Sequence, residues 1–366
     1  MMIILDNEHV LVNESDHAAV REVLDSLDLS GTGSAVAEYE DDLAFWFGVD
    51  HAIACSSGTA ALHLALLALD VAVADEVIIP ATAPVMTAMP VLAVGATPVF
   101  VDVATSTSFA LDHGDLATKI TPQTRAIIAV PMWGYPADGP DLVDVCKGWG
   151  IPIIEDAAQA HGTMVAEHYV GTRATVGCFS THNRKLLSTG EGGFCLTADP
   201  AIAQRLRELR NVGKRPGEGF GAVFGLNYKL PSLSAALGRS QLARLGTRVA
   251  DRRATLRSVT EHVAGMAGLE PFPIRSDGLP NGYSTLFRSS TGTARPIAER
   301  LGAAGVASDP LRYGYKALYQ VPALARHAPA TRCANAERLI ETVVTIPCHE
   351  GVGPQHLGRI AAALRG

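Results

Sequence analysis

The chain has 366 residues, 48% of them hydrophobic and 18% charged, with a formal net charge of −7. That length supports a large core and a division into two domains, since single cores stop growing near ~250–300 residues. The acidic balance excludes the basic face that a nucleic-acid footprint needs.

At the N-terminus, MMIILDNEHVLV has no basic flank, and its apolar run is too short for a signal peptide. Nowhere does the sequence supply the ~18–20 uninterrupted apolar residues of a membrane-spanning helix. The six cysteines (55, 146, 178, 195, 333 and 348) lie far apart with no C-x-x-C pair, which predicts reduced thiols in a cytoplasmic protein and no zinc site.

The first informative segment is Cys55-Ser-Ser-Gly-Thr-Ala-Ala-Leu62, after the short apolar run HAIAC. It opens a helix whose buried face is marked by Leu62, Ala65, Leu66 and Leu69. Free N–H groups at such an end form an anion site, and Gly58 lets a phosphate approach closely. An ordinary Ser/Thr N-cap explains the same residues. Four compact apolar runs follow, at 76–80, 97–103, 125–131 and 151–156, alternating with helical patterns. This alternation predicts an α/β domain with a mostly parallel sheet covered on both faces.

Asp156 ends the last of these runs, where open α/β sheets bind ligands. A carboxylate there pairs with a protonated pyridine nitrogen, or caps the next helix. Then TVGCFS (175–180) leads to Lys185, and Glu191-Gly-Gly193 turns back into FCLTAD. Lys185 alone reads equally as a solvated loop lysine. A phosphate cradle, a strand-end Asp and a lysine about thirty residues later together describe a pyridoxal phosphate site. The Gly-rich stretch 213–225 reads as a mobile loop. Residues 241–266 read as one long Arg-studded helix with no flanking strand. The predicted division is a large cofactor-binding α/β domain, 1–245, and a small α+β domain, 246–366.

These motifs resemble the DegT/DnrJ/StrS family of pyridoxal-phosphate-dependent sugar and cyclitol aminotransferases, of fold type I. The likeness runs from GTGSAVAEYEDDLAFWFGVDHAIACSSGTAALHLAL through PIIEDAAQAHG and CFSTHNRKLLSTGEGGFCLT to GLNYKLPSLSAALGRSQL and TIPCHEGVG. The resemblance implies a pyridoxal 5′-phosphate cofactor held as an internal aldimine on Lys185. It implies Asp156 as the pyridine-nitrogen partner, and Gln159 as a contact to the ring and its 3′-oxygen. Gly58, Thr59 and Ser180 match phosphate ligands, and Asn227 matches an asparagine that reaches the phosphate of the neighbouring subunit in a homodimer. It implies transfer of an amino group from an amino acid, glutamate or glutamine, to a keto-sugar or keto-cyclitol, in amino-sugar or antibiotic biosynthesis.

Two departures stand out. Pro84 occupies the place where the family carries an aromatic that stacks on the cofactor, and proline offers apolar contact without a π-system. Thr181 stands where an aromatic is frequent. The first departure leaves open another pyridoxal phosphate reaction, such as dehydration, elimination or replacement. Retention of Lys185 counts against the dehydratase branch, and with Asp156 and Gln159 against a non-catalytic regulator. Segments 213–225 and Arg312–Tyr315, with His349, are candidates for substrate choice without a motif; His349 and His182 read equally as structural.

Overall fold

Residues 4–365 are described by a computed structural model; the first three residues of the N-terminal run, and Gly366, lie outside the described residues. The chain begins with α1 (Glu14–Ser26) and α2 (Ser34–Phe47), then enters a seven-stranded sheet. In order come β1 (His51–Cys55), α3 (Gly58–Ala68), β2 (Glu76–Pro80), α4 (Val85–Ala93), β3 (Thr97–Val101), α5 (His113–Lys119), β4 (Thr124–Ala129), α6 (Pro140–Trp149) and β5 (Ile153–Asp156). A hairpin of β6 (Met164–Val165) and β7 (His168–Tyr169) precedes β8 (Val176–Ser180) and β9 (Gly193–Thr197).

The strand order is β1-β9-β8-β5-β4-β2-β3. The β2–β3, β2–β4, β4–β5 and β5–β8 pairs are parallel; β9 runs antiparallel to both β8 and β1. The strands read as unbroken apolar runs because both faces are buried. Ile78, Ile127 and Ile153 pack with Leu116 of α5 and Leu142 of α6 on one face, while Ile79, Ile128 and Ile154 join the larger core with α3 and α4 on the other. The structure is thus the expected mostly parallel α/β sheet, with β9 returned against it by the Glu191-Gly-Gly turn.

Beyond α7 (Pro200–Arg210), α8 (Ser232–Leu242) ends and α9 (Leu245–Val263) begins at a break where the Arg244 guanidinium turns to Asp16 of α1, 2.8 Å away. The long helix expected over 241–266 is α9, a little shorter at both ends. The arginines of α9 are not a solvated face. Arg248 and Arg252 are buried and share Glu350, at 2.9 and 3.1 Å, and Arg248 Nη1 donates to the carbonyl of Leu186 at 2.7 Å. Burying two guanidiniums is tolerated because each finds a charged or carbonyl acceptor. This helix therefore braces the lysine loop.

After α9 the chain forms an antiparallel sheet of β10 (Leu269–Pro271), β12 (Thr285–Ser289) and β13 (Val343–Ile346), with β12 central. Between its first two strands, β11 (Gly278–Leu279) pairs with β6. The segment 213–225 has neither helix nor strand and is closed by bridges between Asn211 and Asn227 and between Arg215 and Gly219. No helix among the described residues is long and apolar enough to cross a membrane.

Candidate active site

Asp156 and Ser180 end two neighbouring parallel strands, and Lys185 follows on the loop from β8 to β9, so all three gather at the carboxyl edge of the sheet. Asp156 is 4% exposed. Its Oδ2 accepts the Thr87 hydroxyl at 2.5 Å, and Oδ1 accepts the Ala158 N–H at 3.3 Å. Burial pushes its pKa above the ordinary carboxylate value, while those two bonds and the charge of Lys185 pull it back.

Lys185 is partly buried, with Nζ 5.4 Å from the centre of the Tyr283 ring. Burial brings its pKa down to about 8; Asp156 opposes that shift and Arg184 adds to it. Lys185 and Asp156 thus feel each other's charge, yet form no direct ion pair among the described residues.

The lysine loop is clasped rather than loose. Thr181 N–H donates to Gly192 O and Thr189 N–H to Thr181 O, each at 2.8 Å, and the two threonine hydroxyls lie 2.6 Å apart. Thr181, in place of an aromatic, therefore ties the loop by hydrogen bonds. Gly192, at φ +155°, allows this closure: a Cβ there would lie 2.4 Å from Thr181 Oγ1.

Ser57 caps α3 by accepting the Ala60 N–H at 3.0 Å, which leaves the N–H groups of Gly58 and Thr59 without an intrahelical acceptor. Gly58 lies against Ser180; a Cβ on Gly58 would stand 2.7 Å from the serine Cβ. A helix N-terminus and a hydroxyl are thus brought together at the edge that carries Asp156.

Gln159 Oε1 accepts the Trp133 N–H at 2.6 Å, leaving its amide nitrogen free of protein partners. Pro84 is the residue before α4, half-buried, one turn ahead of Thr87. Asn227 is exposed, and its Oδ1 accepts the Lys229 N–H at 3.5 Å. It does not cap α8, which begins after Pro231 without a side-chain cap. The carbonyl of the next residue, Tyr228, accepts the Ser56 N–H at 2.8 Å beside the anion cradle. His349 stacks on His9 with ring centres 4.1 Å apart, and His182 Nε2 faces Glu191 at 3.7 Å.

Four further residues shape the site: Thr87 and His161 lie within family stretches without a role read for them, and Asn281 and Tyr283 carry no motif. Thr87 holds Asp156. Asn281, fully buried, donates to Gln159 O and His161 O at 2.8 and 3.1 Å and accepts the Tyr283 N–H at 2.9 Å. Tyr283 faces the lysine. His161, edge-on to the stacked Phe179 and Phe194 rings, has neither ring nitrogen partnered by protein among the described residues, and burial lowers its pKa to about 3. The contacts of Asn281 with Gln159 and His161 span 122 and 120 residues, so no local pattern could have flagged them.

The sequence profile of the DegT/DnrJ/EryC1/StrS aminotransferase family matches residues 11–365. The chain is 33% identical over 365 residues to a GDP-perosamine synthase of Caulobacter vibrioides, spanning 96% of this chain and 94% of that protein. It is 34% identical to a UDP-N-acetyl-3-dehydro-alpha-D-glucosamine 3-aminotransferase of Acidithiobacillus ferrooxidans, over 89% of this chain and 86% of that one. The crystal structure of the aminotransferase TlmJ from Streptoalloteichus hindustanus superposes with a TM-score of 0.91 at 28% identity, over 99% of this chain and 98% of that one.

Proposed function

This chain belongs to the DegT/DnrJ/EryC1/StrS aminotransferase family, and we propose that it uses pyridoxal 5′-phosphate to move an amino group from glutamate or glutamine to a keto group on a sugar or cyclitol. The observation that carries this reading is the convergence of Lys185, Asp156 and the α3 N-terminus at one edge of the sheet. The sugar relatives support the acceptor class.

The donor set suits the cofactor. The free N–H groups of Gly58 and Thr59 and the Ser180 hydroxyl hold a phosphate. Buried Asp156, kept in place by Thr87, would pair with a cationic ring nitrogen in place of the water it has lost. Gln159, whose amide nitrogen has no partner among the described residues, would contact the ring and its oxygen, and Pro84 would supply apolar contact to a ring face. Bound there, pyridoxal phosphate supplies the electron sink for charge developing at the substrate carbon.

Lys185, with its pKa brought down to about 8, has an appreciable neutral fraction at working pH and takes and returns the proton at that carbon. Asn281 holds the Gln159 and His161 backbone against Tyr283, so the floor of the site and the ring facing the lysine move together.

The large part of the enzyme is residues 1–245 and the small part 246–366. The six cysteines, all buried and free, accord with a cytoplasmic setting. Asn227, exposed beside Phe224, serves a second copy of the chain in a homodimer. Lys185→Ala tests the central assignment: turnover should vanish with the fold intact, and borohydride should no longer fix cofactor to the protein. Cofactor fixed at another lysine would defeat it.

A further inference from the structure

Beside Lys185 stands a guanidinium that the reaction as described does not use. Arg184 Nη2 donates to Asp309 Oδ1 at 3.2 Å, and its Cζ lies 4.8 Å from the centre of the Tyr313 ring. Asp309 is itself fixed: its Oδ2 accepts Asn7 Nδ2 at 2.9 Å, and its N–H donates to Thr345 Oγ1 at 2.7 Å. Arg184 is thus pinned at one nitrogen and covered by an aromatic face.

The rest of its fork is unsatisfied. Nε is sealed from solvent without a protein partner. Nη1 also lacks a protein partner among the described residues but is not sealed, so it reaches open space. Lys185 Nζ is in the same condition, and the Arg184 charge is strong enough at the lysine to lower its pKa. A guanidinium held this firmly has already lost the rotamer freedom that binding an anion would otherwise remove.

The chemistry of the donor calls for such a group. In an α-amino acid the carboxylate carbon is bonded to the carbon that carries the amine, so an amine delivered to the lysine brings an anion with it. That anion must find a cation within the same few ångströms or pay desolvation unpaired. Arg184 is a cation whose charge already reaches Lys185.

We propose that Arg184 binds the carboxylate of the amino donor through Nη1 and confers the preference for α-amino acids over simple amines. The proposal rests on the aminotransferase reading above. Asp309 and Tyr313 act through it as positioning residues. Because Asp309 already neutralises part of its charge, the grip is moderate, which suits a product keto acid that must leave.

The test uses the cofactor-loaded protein and separates the donor carboxylate from the amine. L-glutamate, L-glutamine and 4-aminobutanamide, an amine without a carboxylate, are compared in the donor half-reaction. Binding of unreactive glutarate is followed by calorimetry. Arg184→Gln should weaken glutarate roughly 10–100-fold, the range for a lost charge-assisted hydrogen bond, and weaken both amino acids by that factor relative to 4-aminobutanamide, which feels only the effect on the lysine. If that variant does not fold, Arg184→Lys decides, with a loss of roughly tenfold for the carboxylates alone. Equal losses for amine and amino acid, or none, overturn the proposal. A wild-type protein that reacts with amines but with no amino acid overturns the donor reading itself, and the proposal with it.

Discussion

Thr87 and Asp156 show how much one hydroxyl can decide. The carboxylate is almost fully removed from water, and Thr87 supplies one of the few protein donors it has. Thr87→Val keeps the shape and deletes the donor, so Asp156 should be harder to ionise. A hydrogen bond to a charged group contributes roughly 1.5–3 kcal/mol, and more where charge develops in the reaction. The expected result is a rate loss of about tenfold or more with little change in donor KM. Asp156→Asn should be at least as severe, and an unaltered rate in both would move the ring partner elsewhere, Glu155 being the neighbour to try. Asp156 and Lys185 were legible in sequence because strand ends and Gly-Gly turns mark them. Thr87 closes the Ala83–Thr87 stretch in which Pro84 replaces the family's aromatic, but its bond to Asp156 was not legible, because that partner is 69 residues away.

At the scale of elements, the strands were readable because two buried faces demand continuous apolar runs. The turn back into β9 was readable in Glu191-Gly-Gly193, but its antiparallel pairing with β1 was not, because that partner lies far back in the sequence. A Cβ on Gly193 would meet the Ser57 backbone at 2.6 Å, so close approach of β9 to the anion cradle is also paid for in glycine. The burial of the α9 arginines was not legible either, because an Arg-studded helix gives no sign of a buried acceptor. Glu350, some hundred residues beyond, is that acceptor. Glu350→Ala should leave two buried guanidiniums short of a counter-charge and cost about 3–5 kcal/mol, read as a lower denaturant midpoint. Because Arg248 also holds the Leu186 carbonyl, the same variant should loosen the lysine loop and lower activity before the protein unfolds. A midpoint within error of wild type would mean the arginines find other partners.

For the molecule as a whole, stability should fall as pH rises toward neutrality. Burial raises Asp138 and Glu155 each to about 7 from ordinary values of 3.8 and 4.5, and Asp138 Oδ2 has no protein partner. A carboxyl whose folded pKa is raised stabilises fully below its unfolded pKa and loses that contribution as pH climbs through the folded value. The window is therefore about pH 4 to 7. Asp138→Asn keeps an acceptor for the Leu111 N–H and removes the charge, so it should flatten the profile by on the order of 1 kcal/mol between pH 5 and 8. An unchanged slope in urea titrations would place the pH dependence elsewhere. Assembly is the remaining step. Asn227 sits exposed on a segment that also exposes Phe220 and Phe224, while its neighbour Tyr228 is bonded to the cradle at Ser56. A segment tied to one cradle yet showing apolar rings outward suits a surface that a second copy covers. If Asn227 completes the partner's phosphate site, Lys185→Ala and Asn227→Asp chains, each inactive alone, should complement when mixed. Each heterodimer then holds one site with both defects and one with neither, so random exchange should restore about a quarter of wild-type activity. Exchange demonstrated by mass, with both parents folded and no activity regained, would show that each chain builds its site alone.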